Sequence, residues 1–112
     1  MNVLILNGSP RKKGNTETLL NHALQGVITK GVNAEVINLY DYTFKGCVSC
    51  FACKRKGSTT NGLCAYRDEI TPILEKAQKT DVIILGSPVY YDYPTSQFRA
   101  FVERLMFPVD NI

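Results

Sequence analysis

Two stretches of the chain share one pattern, and that pattern constrains the fold more than any other feature. Val3-Leu4-Ile5-Leu6 runs into Asn7-Gly8-Ser9-Pro10, and Val82-Ile83-Ile84-Leu85 runs into Gly86-Ser87-Pro88. Four apolar residues without polar alternation read as a strand buried on both faces, and Gly, Ser and Pro directly after them mark a loop. A helical pattern follows each loop. After the first, Leu19, Leu20, Ala23, Leu24, Val27 and Ile28 form one stripe, with Asn15 placed as N-cap, Glu17 in the first turn and Gly31 closing the helix. After the second, Phe98, Phe101, Val102, Leu105 and Met106 form another stripe that Pro108 ends.

Between these units, residues 34–39 alternate as a second strand nearer a sheet edge, while Ile70, Ile73, Leu74 and Ala77 mark a further helix. Asp68 is placed to cap that helix, and Pro72 is tolerated in its first turn. The third strand, residues 81–85, is apolar enough to be central. The order β-α-β-α-β-α implies an α/β fold with a doubly wound parallel sheet, covered by helices on both faces and joined by right-handed crossovers.

The chain has 112 residues with 13 Lys+Arg against 10 Asp+Glu, so one domain is expected over 1–112. A net charge of +3, spread evenly, gives no reason to expect a nucleic-acid partner. The longest apolar runs hold four residues, far below the ~18–20 that span a bilayer, and Arg11, Lys12 and Lys13 follow the first run instead of preceding it. No membrane span or signal peptide is expected, and the cytoplasm is the default location. In that setting four cysteines point to metal or redox chemistry before a disulfide framework.

Residues 7–16 join a strand end to a helix start and are rich in small residues, hydroxyls and positive charge. Helix N–H groups and the helix dipole favour an anion there. The segment matches neither Gly-x-x-x-x-Gly-Lys-Ser/Thr nor Gly-x-Gly-x-x-Gly, which leaves a monophosphate site or an ordinary polar turn. The second loop, Ser87-Pro88-Val89-Tyr90-Tyr91-Asp92-Tyr93-Pro94, reaches the same carboxyl edge and suits a flat aromatic ligand or a subunit contact.

Gly-Ser-Pro-Arg-x-x-Gly-Asn-Thr, the cysteine segment, Gly-Ser-Pro-Val-Tyr-Tyr and the run Phe98 to Arg104 resemble the flavodoxin-like NADPH-dependent FMN reductases and their iron–sulfur flavoprotein relatives. The resemblance implies a flavodoxin-like sheet, of which this sequence supplies the first three of five strands, so a C-terminally truncated domain is expected. It implies that Ser9, Arg11, Asn15 and Thr16 hold the FMN phosphate, and that Pro88, Val89, Tyr90 and Tyr91 line the isoalloxazine. NAD(P)H is the implied electron donor and a small molecule or protein the acceptor, with a homo-oligomer closing the site. Hydride transfer belongs to the cofactor, so no side-chain nucleophile or base is expected, and His22 reads as a surface or packing residue. The alternatives are a flavodoxin-like electron carrier without NAD(P)H activity and a non-catalytic phosphate-binding module.

Cys47-x2-Cys50-x2-Cys53 resembles the compact ligand run of iron–sulfur flavoproteins, with Cys64 as fourth ligand of a 4Fe-4S cluster. Ten residues separate Cys53 from Cys64, a gap that loop closure spans for about a kcal/mol. Structural zinc and reduced thiols remain alternatives. In the thiol case Lys54, Arg55 and Lys56 are expected to raise the thiolate fraction.

Overall fold

The computed structural model describes residues 1–109. β1 (Asn2–Asn7) lies between β2 (Asn33–Asn38) and β3 (Val82–Gly86) in a parallel sheet of order β2-β1-β3. Val3 stands between Ala34 and Val82 and Asn7 between Asn38 and Gly86, so the three strands end together at one carboxyl edge. This order is the beginning of the flavodoxin-like 2-1-3-4-5 arrangement, with β1 and β3 at the switch point.

Successive side chains on β1 point to opposite faces, and each face is covered, which is why its sequence is a continuous apolar run. Val3 and Ile5 pack with Leu20, Leu24 and Val27 of α1 (Asn15–Ile28). Leu4 and Leu6 pack on the other face with Ile73, Leu74 and Ala77 of α2 (Thr71–Lys79) and with Phe101 of α3 (Ser96–Met106). Ile5, Leu6 and Phe101 are fully buried, each contributing about 1.5–3 kcal/mol of hydrophobic stabilisation.

Several sequence expectations change. Among the described residues β3 pairs only with β1, and Val82 and Leu85 are 40% and 41% exposed. Asn15 is the first helical residue of α1; Gly14 takes the N-cap position, and no side chain caps it. Asp68 does not cap α2 either. Its carboxylate turns to Arg104 at 2.7 Å, a charge-assisted bond stronger than a cap to neutral N–H groups. Residues 87–94 form a small hairpin, not an open loop: β4 (Val89–Tyr90) pairs antiparallel with β5 (Tyr93–Pro94). Its two turn residues, Tyr91 (φ +50°) and Asp92 (φ +69°), both lie in the left-handed region, as a type I′ turn requires. Among the described residues no helix is long and apolar enough to cross a membrane.

Candidate functional site

The loops after β1 and β3 are joined at their roots. Gly8 N–H donates to the Gly86 carbonyl (2.8 Å), and the fully buried Thr95 donates its hydroxyl to the Gly8 carbonyl (2.5 Å). The same Thr95 oxygen accepts the Phe98 N–H as the N-cap of α3, and the Thr95 N–H donates to Ser87 Oγ (3.0 Å). A Cβ on Gly8 meets Phe98 at 2.9 Å, so only glycine lets β1 turn this close to α3. One threonine therefore ties both loops to the start of α3.

Within the first loop the buried Asn7 side chain accepts the Ser9 N–H (2.9 Å) and donates to Asn38 (3.1 Å). Ser9 is itself buried, and its Oγ accepts the Arg11 N–H (3.1 Å), a bond that uses only a lone pair and leaves donor capacity on the hydroxyl. Arg11 and Asn15 are exposed and Thr16 is half-buried at the helix start. Because no side chain caps α1, its first-turn N–H groups are open to an external anion. Ser9 is thus bonded to Arg11, the Arg11 side chain lies beside Gly14, and Asn15 and Thr16 open the helix. Pro88 is half-buried at the root of the hairpin, and Val89 and Tyr90 are exposed on β4. Tyr91, at the hairpin tip, is 97% exposed and touches almost nothing. His22 is exposed on α1.

The cysteine segment folds as a separate compartment against α3. Cys47, Cys50, Cys53 and Cys64 all line one small cavity, together with Phe51, Tyr66, Glu103, Arg104 and Phe107. None forms a disulfide. Two consecutive residues of α3 hold the segment. Glu103 accepts the Cys47 N–H (3.1 Å), and its carboxylate occupies the space where a Cβ on Gly46 would stand. Arg104 is 2% exposed and donates to the Lys45 carbonyl (3.2 Å), the Tyr66 carbonyl (2.6 Å) and Asp68. Burial opposes the Arg104 charge, but the bonded Asp68 carboxylate and then the neighbouring Cys64 outweigh it and hold the guanidinium more firmly protonated than usual. Phe51 packs edge-on against Phe107 at 5.7 Å, and Lys54 lies 4.8 Å from the same Phe107 ring.

The expectation that neighbouring cations activate the thiols fails at Cys53. Burial pushes its thiol up and outweighs Lys54, while Cys64 and Cys47 add to the rise. A half-buried thiol loses part of the hydration that favours its ionised form, and one nearby ammonium does not offset that here.

The donor set bears on two metal readings. Zinc holds four sulfurs at about 2.3 Å, which brings them within about 4 Å of one another. Among the described residues no three His, Cys, Asp or Glu side chains converge in that way. A cubane takes one thiolate at each iron corner, so its ligands line a cavity without meeting at a point. Four thiols lining one cavity are a donor set that suits either a zinc ion or a 4Fe-4S cluster.

Residues 1–111 match the family profile described as NADPH-dependent FMN reductase. The chain belongs to that family. Among curated relatives, an iron-sulfur flavoprotein of Methanocaldococcus jannaschii is 36% identical over 104 residues, covering 93% of this chain and 51% of the relative. An iron-sulfur flavoprotein of Archaeoglobus fulgidus is 38% identical over 104 residues, with 93% and 48% covered. The chain therefore spans about half the length of the curated relatives it matches. A solved structure titled as a putative quinone reductase from Klebsiella pneumoniae superposes with a TM-score of 0.66 at 17% identity, covering 94% of this chain and 45% of that one. That likeness supports the flavodoxin-like fold alone.

Thr95, Glu103 and Arg104 were given no role at the site by the sequence, although Glu103 and Arg104 lie in the run that carries the resemblance. Thr95 carried the signal of an N-cap, a hydroxyl directly before a helical stripe. Arg104 stands three residues after Phe101 and so shares its buried face, where a charge calls for partners.

Proposed function

We propose that the chain binds FMN across the β1 and β3 loops and takes part in NAD(P)H-dependent electron transfer, with a 4Fe-4S cluster in the cysteine cavity. The observation that supports this most is the uncapped start of α1, set beside a β1 loop that is hydrogen-bonded directly to the β3 loop, in a member of an FMN reductase family.

In this reading Ser9, Arg11, Asn15 and Thr16 receive the phosphate. The Arg11 charge and the first-turn N–H groups neutralise it, and Ser9 shapes the loop from its buried position. Pro88, Val89 and Tyr90 form the wall for the isoalloxazine. Pro88 lacks an N–H and stiffens the wall, and Thr95 fixes its distance from the phosphate loop. Tyr91 is the weakest member of the predicted set, because its side chain stands in solvent at the hairpin tip. FMN supplies the hydride and single-electron chemistry when bound. Cys47, Cys50, Cys53 and Cys64 are the thiolates for the cluster, in a cavity that Phe51 and Phe107 shield. A small-molecule or protein acceptor, a homo-oligomeric assembly, a cytoplasmic location and completion of the sheet beyond β3 belong to the same proposal; the exposed apolar residues of β3 and of the hairpin support a covered edge.

Titration with FMN, followed by quenching of flavin fluorescence, tests the binding step. Stopped-flow mixing of the loaded protein with NADPH then separates a reductase, which bleaches the flavin band, from a carrier, which does not. Protein that leaves FMN fluorescence unchanged refutes the proposal.

A further inference from the structure

Arg104 is nearly fully buried, yet its bonds are not those of a residue serving its own helix. Its two carbonyl acceptors, Lys45 and Tyr66, lie two residues before Cys47 and two residues after Cys64. The guanidinium therefore closes the segment that holds all four cysteines, and Asp68, two residues further on, holds its charge at 2.7 Å. The Tyr66 ring lies 5.3 Å from the guanidinium. This leaves Nε–H, which is buried and has no hydrogen-bond partner. Asp68 cannot take it while bonded to Nη1, because Nη1 lies on the Cδ side of the guanidinium and the Nε hydrogen on the other. An unpaired donor on a buried charge is costly, and Arg104 lines the same cavity as the four sulfurs.

We infer that Arg104 is the positioning residue of the cysteine site: it fastens the two ends of the loop so that four thiols face one cavity, and it offers its buried N–H to sulfur there. The second half of this inference rests on the cluster reading above; the first half does not. Hydrogen bonds to cluster or cysteinyl sulfur stabilise the more negative, reduced state, so the donor raises the reduction potential and slows cluster loss.

The test compares the full chain with Arg104→Gln and Arg104→Lys, with circular dichroism as the check on folding. In the reduced, metal-free chain, alkylation by iodoacetamide read by mass spectrometry should modify Cys64 at least about tenfold faster in R104Q. R104K should lie between the two, because a single ammonium cannot span both carbonyls and Asp68. In chains reconstituted with iron and sulfide, R104Q should lose its cluster to a chelator about tenfold faster or more and titrate at a more negative potential. Equal alkylation rates in wild type and R104Q overturn the clamp, and an unchanged potential overturns the donor. Should the wild type take up no cluster, the cluster reading and with it the donor half fail, and the alkylation ratio alone decides the clamp. Should R104Q not fold, R104K carries the comparison, and wild-type behaviour in R104K overturns the inference.

Discussion

Replacing Thr95 by valine keeps the volume and branching of the side chain and removes only its hydroxyl, so it isolates the junction between the two loops. Two effects add. The Phe98 N–H loses its cap, worth about 1 kcal/mol at an N-cap position. The Gly8 carbonyl loses its Thr95 hydroxyl donor in a fully buried setting, which costs about 1–3 kcal/mol. The expected loss is about 2–4 kcal/mol, or on the order of 10 °C or more in Tm for a domain of this size. Thr95→Ser keeps both bonds and loses one methyl, so it should cost only about 0.8 kcal/mol. Urea unfolding of the three proteins, monitored by circular dichroism, reads the difference, and FMN affinity should fall at least about tenfold in the valine variant because the two loops are no longer tied. A valine variant within about 0.5 kcal/mol of wild type, or a serine variant as unstable as the valine one, refutes the reasoning.

Other outcomes follow from the same geometry. Gly8→Ala forces a Cβ to within 2.9 Å of Phe98 and should cost about 1–3 kcal/mol in urea unfolding, with weaker FMN binding. Arg11→Ala should weaken FMN about tenfold at low salt and less at high salt, since Arg11 is exposed and its charge is screened; titrations at two ionic strengths check this. Cys50→Ser should abolish iron uptake while leaving FMN titration unchanged, because the cysteine cavity shares no residue with the two loops. In the metal-free chain Cys53 should alkylate more slowly than the exposed Cys47 and Cys50. Its raised pKa leaves less thiolate at a given pH, so its rate should climb only at higher pH than that of a free thiol.

Strand and helix types were legible because β1 is buried on both faces and α1 on one, and burial writes itself directly as a continuous or periodic apolar pattern. The strand order followed from the resemblance to the flavodoxin-like family, whose sheet begins 2-1-3. What escaped depended on choices between partners. Asp68 could cap its own helix or pair with a distant arginine, and only the fold brings Arg104 within 2.7 Å. The hairpin at residues 89–94 lacks the Asn-Gly or Asp-Gly signature, because Tyr91 and Asp92 occupy left-handed positions that sequence statistics assign to other residues. The thiols at 47, 50, 53 and 64 announced a common site through spacing, but the Arg104 clamp and the Glu103 brace come from a helix some 40 residues further along the chain.

The most direct measurement is anaerobic purification followed by a visible spectrum with flavin, iron, sulfide and zinc quantified on the same sample. The account predicts a flavin spectrum, or its recovery on adding FMN, together with broad iron–sulfur absorption, equal amounts of iron and sulfide, and no zinc. Colourless protein that binds neither added FMN nor reconstituted iron would contradict it.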